Sequence, residues 1–269
     1  MVASAEFFIR MRTKLKKFAS LPYILVRRTL MLTGLLVWLA IATLAFYGYQ
    51  LLQPIPTVDN ISFSQARTLA QEKFHTRWVS LKDVNRDLIY SIVLSEDSHF
   101  FSHTGIDYDA LIAALGDNIK KREWRFGAST ISQQTVKNLY LKQEKTLARK
   151  LQEIIITQRF EENLSKNEIL ELYLNIIEFG PDLYGIGNAC QYYFNKPPQE
   201  INAAEGAYLA LLMPSPRKYH YTLFQNGNWS PALSKKHHRI IRDMRFKELI
   251  SDKQYKSYNK WRYDKGDYL

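Results

Sequence analysis

An all-α domain carried behind one N-terminal membrane helix is the fold class this sequence predicts, and three observations predict it. Residues 29–52 run 24 positions without a charge, where about 20 apolar residues suffice to cross a bilayer as a helix. Beyond them, capping signals and apolar positions at helical spacing are dense, period-two alternation is scarce, and no internal repeat appears. With 46% hydrophobic and 23% charged residues over 269 positions, the chain can bury a core, which excludes a disordered one.

The net charge of +11 invites a nucleic-acid reading until it is mapped along the chain. Residues 1–28 hold seven Lys and Arg against Glu6 alone, and the segment from Met213 onward holds 13 against 5 acids, so the body between them is slightly acidic. Two basic ends, one of them abutting an apolar run, disfavour nucleic acid as the partner. The same cluster sets orientation: the positive-inside rule keeps 1–28 in the cytoplasm as a basic tail and sends everything after Leu52 across the membrane. A cleaved signal would have an apolar region of only ~7–15 residues, and the small triplet Ala40-Ile41-Ala42 sits mid-run, so an uncleaved anchor over 29–52 is expected. Tyr47 and Tyr49 fit an interfacial belt at its outer end. Gln53-Pro54-Ile55-Pro56 stops the helix and opens an extracytoplasmic domain over 53–269. The single Cys190 excludes an internal disulfide framework and a multi-cysteine zinc site.

Within that domain, Asp83 is expected to cap a helix through about Ser95, with Leu88, Ile89, Ile92 and Val93 on one face. Leu147, Leu151, Ile154 and Ile155 mark another over 144–163. Ser165 with Glu168 forms a capping box ahead of Ile169, Leu170, Tyr173 and Leu174. Asn202 with Glu205 repeats it ahead of 207–213, which Pro214 and Pro216 end.

Three segments carry candidate chemistry. In the first, Glu96 and Asp97 end an apolar helix and precede Phe100, Phe101 and His103; a carboxylate at a cleft edge is a candidate base, and a solvated helix end is the competing meaning. His103 reads there as a hydrogen-bonded structural residue. In the second, Gly127 permits a turn, Ser129 or Thr130 caps the next helix, and Gln133, Gln134, Lys137 and Asn138 supply donors suited to sugar hydroxyls and phosphate oxygens. An ordinary capped polar helix competes. In the third, Arg149 and Lys150 lie one helical turn before Glu153. That pattern is a charge-paired surface or the cationic partner of a diphosphate leaving group. The aromatic segment Trp124-Arg125-Phe126 is a candidate for dipping into the outer leaflet, with local packing as its rival.

Together these segments resemble the family 51 glycosyltransferases, the peptidoglycan transglycosylases. The pattern ED-x-x-F-x-x-H-x-G stands as Glu96, Asp97, Phe100, His103 and Gly105; G-x-S-T-x-x-Q-Q-x-x-K-N as Gly127 through Asn138; R-K-x-x-E as Arg149, Lys150 and Glu153; and K-x-E-I-L-E-x-Y-L-N as Lys166, Glu168 to Glu171 and Tyr173 to Asn175. The likeness covers most of 75–245. The family's last motif, an arginine ahead of Val-Leu and Met, survives only as the segment from Lys235 to Met244, with Lys236 where the arginine belongs.

The resemblance implies a lysozyme-like helical glycosyltransferase domain that polymerises lipid II into linear glycan strands at the bacterial inner membrane, its catalytic domain in the periplasm. It implies Glu96 as the general base on the acceptor's 4-hydroxyl, in an inverting transfer from a lipid-diphosphate-linked glycan. Glu153 becomes the second catalytic carboxylate, on the diphosphate side. Asp97, Phe100, His103, Gly127, Ser129, Thr130, Gln133, Gln134, Lys137, Asn138, Arg149 and Lys150 become substrate-binding. No cofactor is required; a divalent cation, Mg or Mn, is compatible with the diphosphate, and no ligand cluster demands one. The implied partners are lipid II, the growing glycan chain and the membrane, with division or elongation proteins left unnamed.

A lysozyme-like glycan-cleaving enzyme and a non-catalytic membrane scaffold of the wall-building machinery remain the alternatives. The set Lys137, Arg149 and Lys150 argues against the first, because a neutral glycosidic leaving group has no use for it. Retention of both Glu96 and Glu153 argues against the second. The matches to S-x-x-K at Ser215 to Lys218 and Ser257 to Lys260 lack a later K-T-G and are read as accidental.

Overall fold

The computed structural model describes residues 25–49, 61–121 and 129–268, apart from 143 and 145. The basic residues before Leu25, the Pro54-Ile55-Pro56 exit, Trp124-Arg125-Phe126 and Gly127 lie outside the described residues. The chain divides into two compact units, Met1–Gln53 and Pro54–Leu269.

In the first unit, helix α1 spans Leu25–Tyr49 and is long and apolar enough to cross a membrane. Its described residues include Arg27 and Arg28, ahead of the charge-free run.

Among its described residues the second unit is mainly helical, with one antiparallel ribbon of β1 (Glu178–Gly180) and β2 (Leu183–Tyr184). Its longer helices are α2 (Phe63–Phe74), α3 (Arg86–Glu96), α4 (Tyr108–Lys121), α5 (Ile131–Tyr140), α6 (Leu147–Asn163), α7 (Lys166–Ile176), α8 (Ile186–Phe194) and α9 (Ala203–Leu212). After them come the short α10 (Pro216–Tyr219), then α11 (Pro231–Phe246) and α12 (Asp252–Tyr258). The expected caps of α7 and α9 are present, each as a reciprocal pair of Ser165 with Glu168 and Asn202 with Glu205. Asp83 does not cap α3. It falls in a single 3-10 turn, Leu81–Asp83, and Asn85 caps α3 by accepting from the Asp87 N–H at 2.9 Å. Both residues are good caps, and the turn before Asn85 decides between them.

Two helical groups position the site. α3 packs on α9 and α11, while α5 packs on α6 and α7. The α3–α9 crossing is close because Gly206 faces α3: a Cβ there would stand 3.0 Å from the Leu88 Cα and 3.1 Å from the Ser91 Cβ. The shared core runs through Leu88, Ile92, Ile156, Tyr173, Tyr208 and Ile240. It also takes in Ile61, Ala66 and Ala70 before residue 75 and Ile250 after 245. The C-terminal segment closes it: Tyr263 stacks on Tyr208 at 4.5 Å between ring centroids, and Tyr268 donates to Glu205, which Lys196 also holds at 2.7 Å.

The segment Glu171 to Asn175 is structural. The Glu171 carboxylate accepts from the Trp78 indole N–H (2.9 Å) and the Leu81 N–H (2.8 Å), and Asn175 bridges both backbone groups of Val79. These bonds fasten the chain entering α3 to α7.

Candidate active site

Glu96 is the last residue of α3. The apolar face of that helix is buried, so its C-terminal end surfaces beside a cavity of about 300 Å³ lined by Glu96, His99, Asp107, Ser129, Thr130 and Arg239, among others. The Glu96 side chain is 15% exposed; it accepts from the Ser95 hydroxyl at 3.1 Å and faces the Lys236 ammonium at 3.6 Å.

Asp97 turns inward. Its carboxylate accepts from the His103 Nε2–H at 3.0 Å and from the N–H of Ile131, the first residue of α5, at 2.9 Å. Because His103 Nδ1 accepts from the Gly105 N–H (3.1 Å), these bonds assign the ring its Nε2–H tautomer. Gly105 has φ +91°, open to glycine at little strain, and a Cβ there would meet the Thr157 methyl at 2.9 Å. Its carbonyl accepts from the Thr130 hydroxyl at 2.6 Å. The loop after Glu96 is thereby tied to the start of α5 and laid against α6. Adjacent acids divide the work, one facing the cavity and one holding the loop.

Thr130 caps α5 in a reciprocal box with Gln133. Phe100 and Gln133, expected to bind substrate, are instead buried behind the cavity wall: Phe100 is wholly enclosed, with the Lys166 ammonium 4.5 Å above its ring, and the Gln133 amide oxygen is used by the Thr130 N–H. Asp97 lines the cavity and His103 is half-buried, but their polar atoms are taken by each other and by backbone. Thr130 lines the cavity while its hydroxyl is engaged. Gln134 bridges Ser129 (3.4 Å) and Tyr173 (3.2 Å), and Asn138 is half-buried one turn beyond Gln134.

Glu153, on α6, is 2% exposed and sealed under Arg149 and Lys150, both ion-paired to it. The Lys150 ammonium also donates to the Ser129 hydroxyl at 3.3 Å, and Ser129 lines the Glu96 cavity, so the cluster adjoins that cavity. Lys137, from α5, joins it electrostatically: burial lowers its pKa, Glu153 opposes the shift, and Arg149 and Lys150 add to it. Three cations thus share one buried carboxylate, an excess of two positive charges. Glu153, expected as a second catalytic carboxylate, touches cations rather than open space.

The sequence aligned Lys236 with a family arginine without giving it a role, and passed over Arg239 and His99. Lys236 of α11 brings a cation to Glu96; burial lowers its pKa and Glu96 opposes the shift. Arg239, one turn on, lines the same cavity. The stripe Lys236, Arg239, Asp243 was readable as one helix face, but not which way it faced. His99 pairs with Asp107 at 2.9 Å on the opposite rim. Desolvation pushes the Asp107 carboxyl up, but the Ala110 N–H (2.8 Å) and His99 outweigh it, and the net direction is down.

The carboxylates lining the cavity are each engaged within the protein, Asp243 with Arg242 at 3.0 Å. Asp97 is saturated by His103 and Ile131, Asp107 by His99 and Ala110, and Glu96 faces an ammonium. Among the described residues no group of three or more His, Cys, Asp or Glu stands together.

A family model described as "Transglycosylase" matches residues 63–245, which spans every element that builds this site. The chain is 38% identical over 223 residues to the biosynthetic peptidoglycan transglycosylase of Nitrosomonas eutropha, covering 79% of this chain and 89% of that protein. It is 40% identical over 170 residues to the protein of that name from Pasteurella multocida, covering 63% and 67%. With the one from Nitrosospira multiformis it shares 41% over 166 residues, 62% and 70% of the two chains.

Proposed function

The chain belongs to the transglycosylase family, and from that premise we propose that it is a peptidoglycan glycosyltransferase that polymerises lipid II into linear glycan strands. The observation that carries this reading is the pairing of a cavity-facing carboxylate, Glu96, with the three-cation cluster beside it. Glu96 takes the proton of the acceptor's 4-hydroxyl as that oxygen attacks the donor's anomeric carbon from the face opposite the diphosphate. The anomeric C–O bond breaks, its electron pair leaves with the lipid diphosphate, and configuration inverts. Lys137, Arg149 and Lys150 neutralise the charge that develops there, while Glu153 holds two of them in place. Lys236 and Arg239 supply further positive charge at the base. The protein's carboxylates being occupied, a magnesium or manganese ion would arrive on the substrate's diphosphate, and no step is assigned to it.

A polyprenyl-linked donor stays in its bilayer, which gives α1 its purpose as an anchor. We place that anchor in the inner membrane, with the basic N-terminal residues cytoplasmic and the catalytic unit periplasmic. Cleavage of existing glycan is disfavoured by the cationic excess, and a scaffold by the cavity-facing Glu96. The test is incubation of the purified protein with labelled lipid II, then lysozyme digestion of the product. A polymer that lysozyme cuts is the expected result; consumption of preformed glycan with no new polymer would overturn the reading.

A further inference from the structure

The cation that faces Glu96 is itself held by the end of another helix. If α9 ran on, the N–H of residue 214 would donate to the Ala210 carbonyl, but residue 214 is a proline and has none. The Lys236 ammonium takes that place: it donates to the Ala210 oxygen at 3.3 Å and faces the Glu96 carboxylate at 3.6 Å. With its side chain 21% exposed, it is fixed between α9 and α3 rather than loose in solvent. Apart from this ammonium, the Glu96 carboxylate is met by the Ser95 hydroxyl, at 3.1 Å and from the preceding residue of its own helix.

The charges around the pair come from every helix packed on α11. From α3, Glu96 supports the Lys236 charge, and from α11 itself Arg239, one turn on, opposes it. From α9 comes the Ala210 carbonyl, the acid of that helix, Glu205, being engaged by Lys196 and Tyr268. From α12, Tyr255 lines the same groove as Lys236. The other acids lining the Glu96 cavity are paired elsewhere, Asp97 with His103, Asp107 with His99 and Asp243 with Arg242. Burial outweighs the help of Glu96, and the Lys236 pKa lies below its ordinary value.

Lys236 stands where the motif resemblance puts an arginine. An arginine keeps its charge throughout the range in which proteins work, whereas a partly buried lysine gives its proton up at alkaline pH. On the functional reading above, on which this rests, we propose that Lys236 is the positioning residue of Glu96, and that the base keeps its aim only while this ammonium is charged. Turnover therefore falls on the alkaline side as the proton leaves. The ion pair fixes the direction of the carboxylate in a way that one hydroxyl from the adjacent residue does not, and a reacting group misplaced by about 1 Å costs on the order of 10²-fold. This chain has exchanged a permanent charge beside its base for a titratable one.

The experiment follows polymerisation of labelled lipid II by the full chain in detergent, from neutral pH to the top of the lysine range. It compares wild type, Lys236→Arg and Lys236→Met, with Lys236→Gln in case the methionine variant misfolds. Lys236→Arg is expected to keep turnover at neutral pH and to carry the alkaline limb to higher pH. Lys236→Met is expected to lose about 10–10²-fold in kcat at neutral pH with KM little changed, and to lack the limb. Lys137, Lys150 and the substrate titrate alike in all these proteins, so a limb that moves with residue 236 belongs to it. The same alkaline limb in wild type and Lys236→Arg would overturn the proposal. So would a raised KM with kcat unchanged in Lys236→Met, which would make Lys236 a substrate contact, or a lowered melting temperature with kcat unchanged per folded molecule, which would make it only a cap on α9. Failure of the wild-type protein to make any glycan would instead overturn the functional reading.

Discussion

At the residue scale, the site turns on the different fates of neighbours. Glu96 and Asp97 have nearly the same chemistry, yet one faces a cavity and the other is saturated by His103 and the start of α5. Glu96→Gln is therefore expected to fold normally and to lose polymerisation by about 10²–10⁴, the usual worth of a positioned base. Near-normal turnover at matched folding would remove Glu96 from that role. Asp97→Asn should fail differently, by loosening the loop: a lowered melting temperature is expected before any specific loss of rate. Arg149→Ala and Lys150→Ala each remove a charge-assisted contact of roughly 1.5–3 kcal/mol and should weaken a phosphate-mimicking inhibitor accordingly. Unchanged inhibitor affinity in both would make that helix face a plain charge pair and move the diphosphate elsewhere.

At the element scale, α3, α9 and α11 form the frame that sets Glu96 against Lys236. Gly206→Val puts two methyl groups where even a Cβ lies 3.0 Å from the α3 backbone. The helices must part, at a stability cost of roughly 1–3 kcal/mol, and turnover should fall with it; a melting curve equal to wild type would show the crossing to be more pliant than its geometry implies. α11 is also held by His237, fully buried, whose ring donates to the Ala204 carbonyl at 3.2 Å. Burial lowers its pKa from 6.5 to about 4, with His238 and Arg262 adding and the Ala204 bond opposing. The sign is fixed by which state binds the proton: between these values the unfolded chain takes one that the folded chain refuses. The stability is complete above pH 6.5 and drains as pH falls toward 4, by on the order of 3 kcal/mol. His237→Gln, which keeps a donor and loses the titration, should narrow the gap between urea midpoints at pH 7 and pH 4.5; an equal gap in both proteins would place the acid sensitivity elsewhere.

At the scale of the whole molecule, one apolar helix and one helical catalytic unit match a substrate whose two halves belong to different solvents. A reporter active only outside the cytoplasm, fused after Leu269, is expected to be active, and removing the basic residues of 1–28 should impair it. Activity from a cytoplasmic reporter alone would reverse the topology.

Much of this was legible along the chain, because the information was local. A charge-free run of 24 residues, capping pairs three residues apart and Pro214 after an apolar stretch report interactions completed within a turn or two. The elements α7 and α9 and the long apolar helix arise from them. The site residues Glu96, Lys137, Arg149, Lys150 and Glu153 were singled out instead by their resemblance to the family's motifs, since their spacing alone left a solvated helix end, a capped polar helix and a charge-paired surface open. Even locally there was ambiguity: Asp83 and Asn85 are equivalent caps until Leu81–Asp83 closes its own turn. What only the tertiary structure decided is direction. That Phe100 and Gln133 lie behind the wall, that Glu153 is sealed beneath its cations, and that Lys236 faces Glu96 from far along the chain all depend on how helices distant in sequence cross. Spacing establishes which residues share a helix face; the packing of α3 against α9 and α11 establishes what that face meets, because burial and ion pairing are made between elements rather than within them.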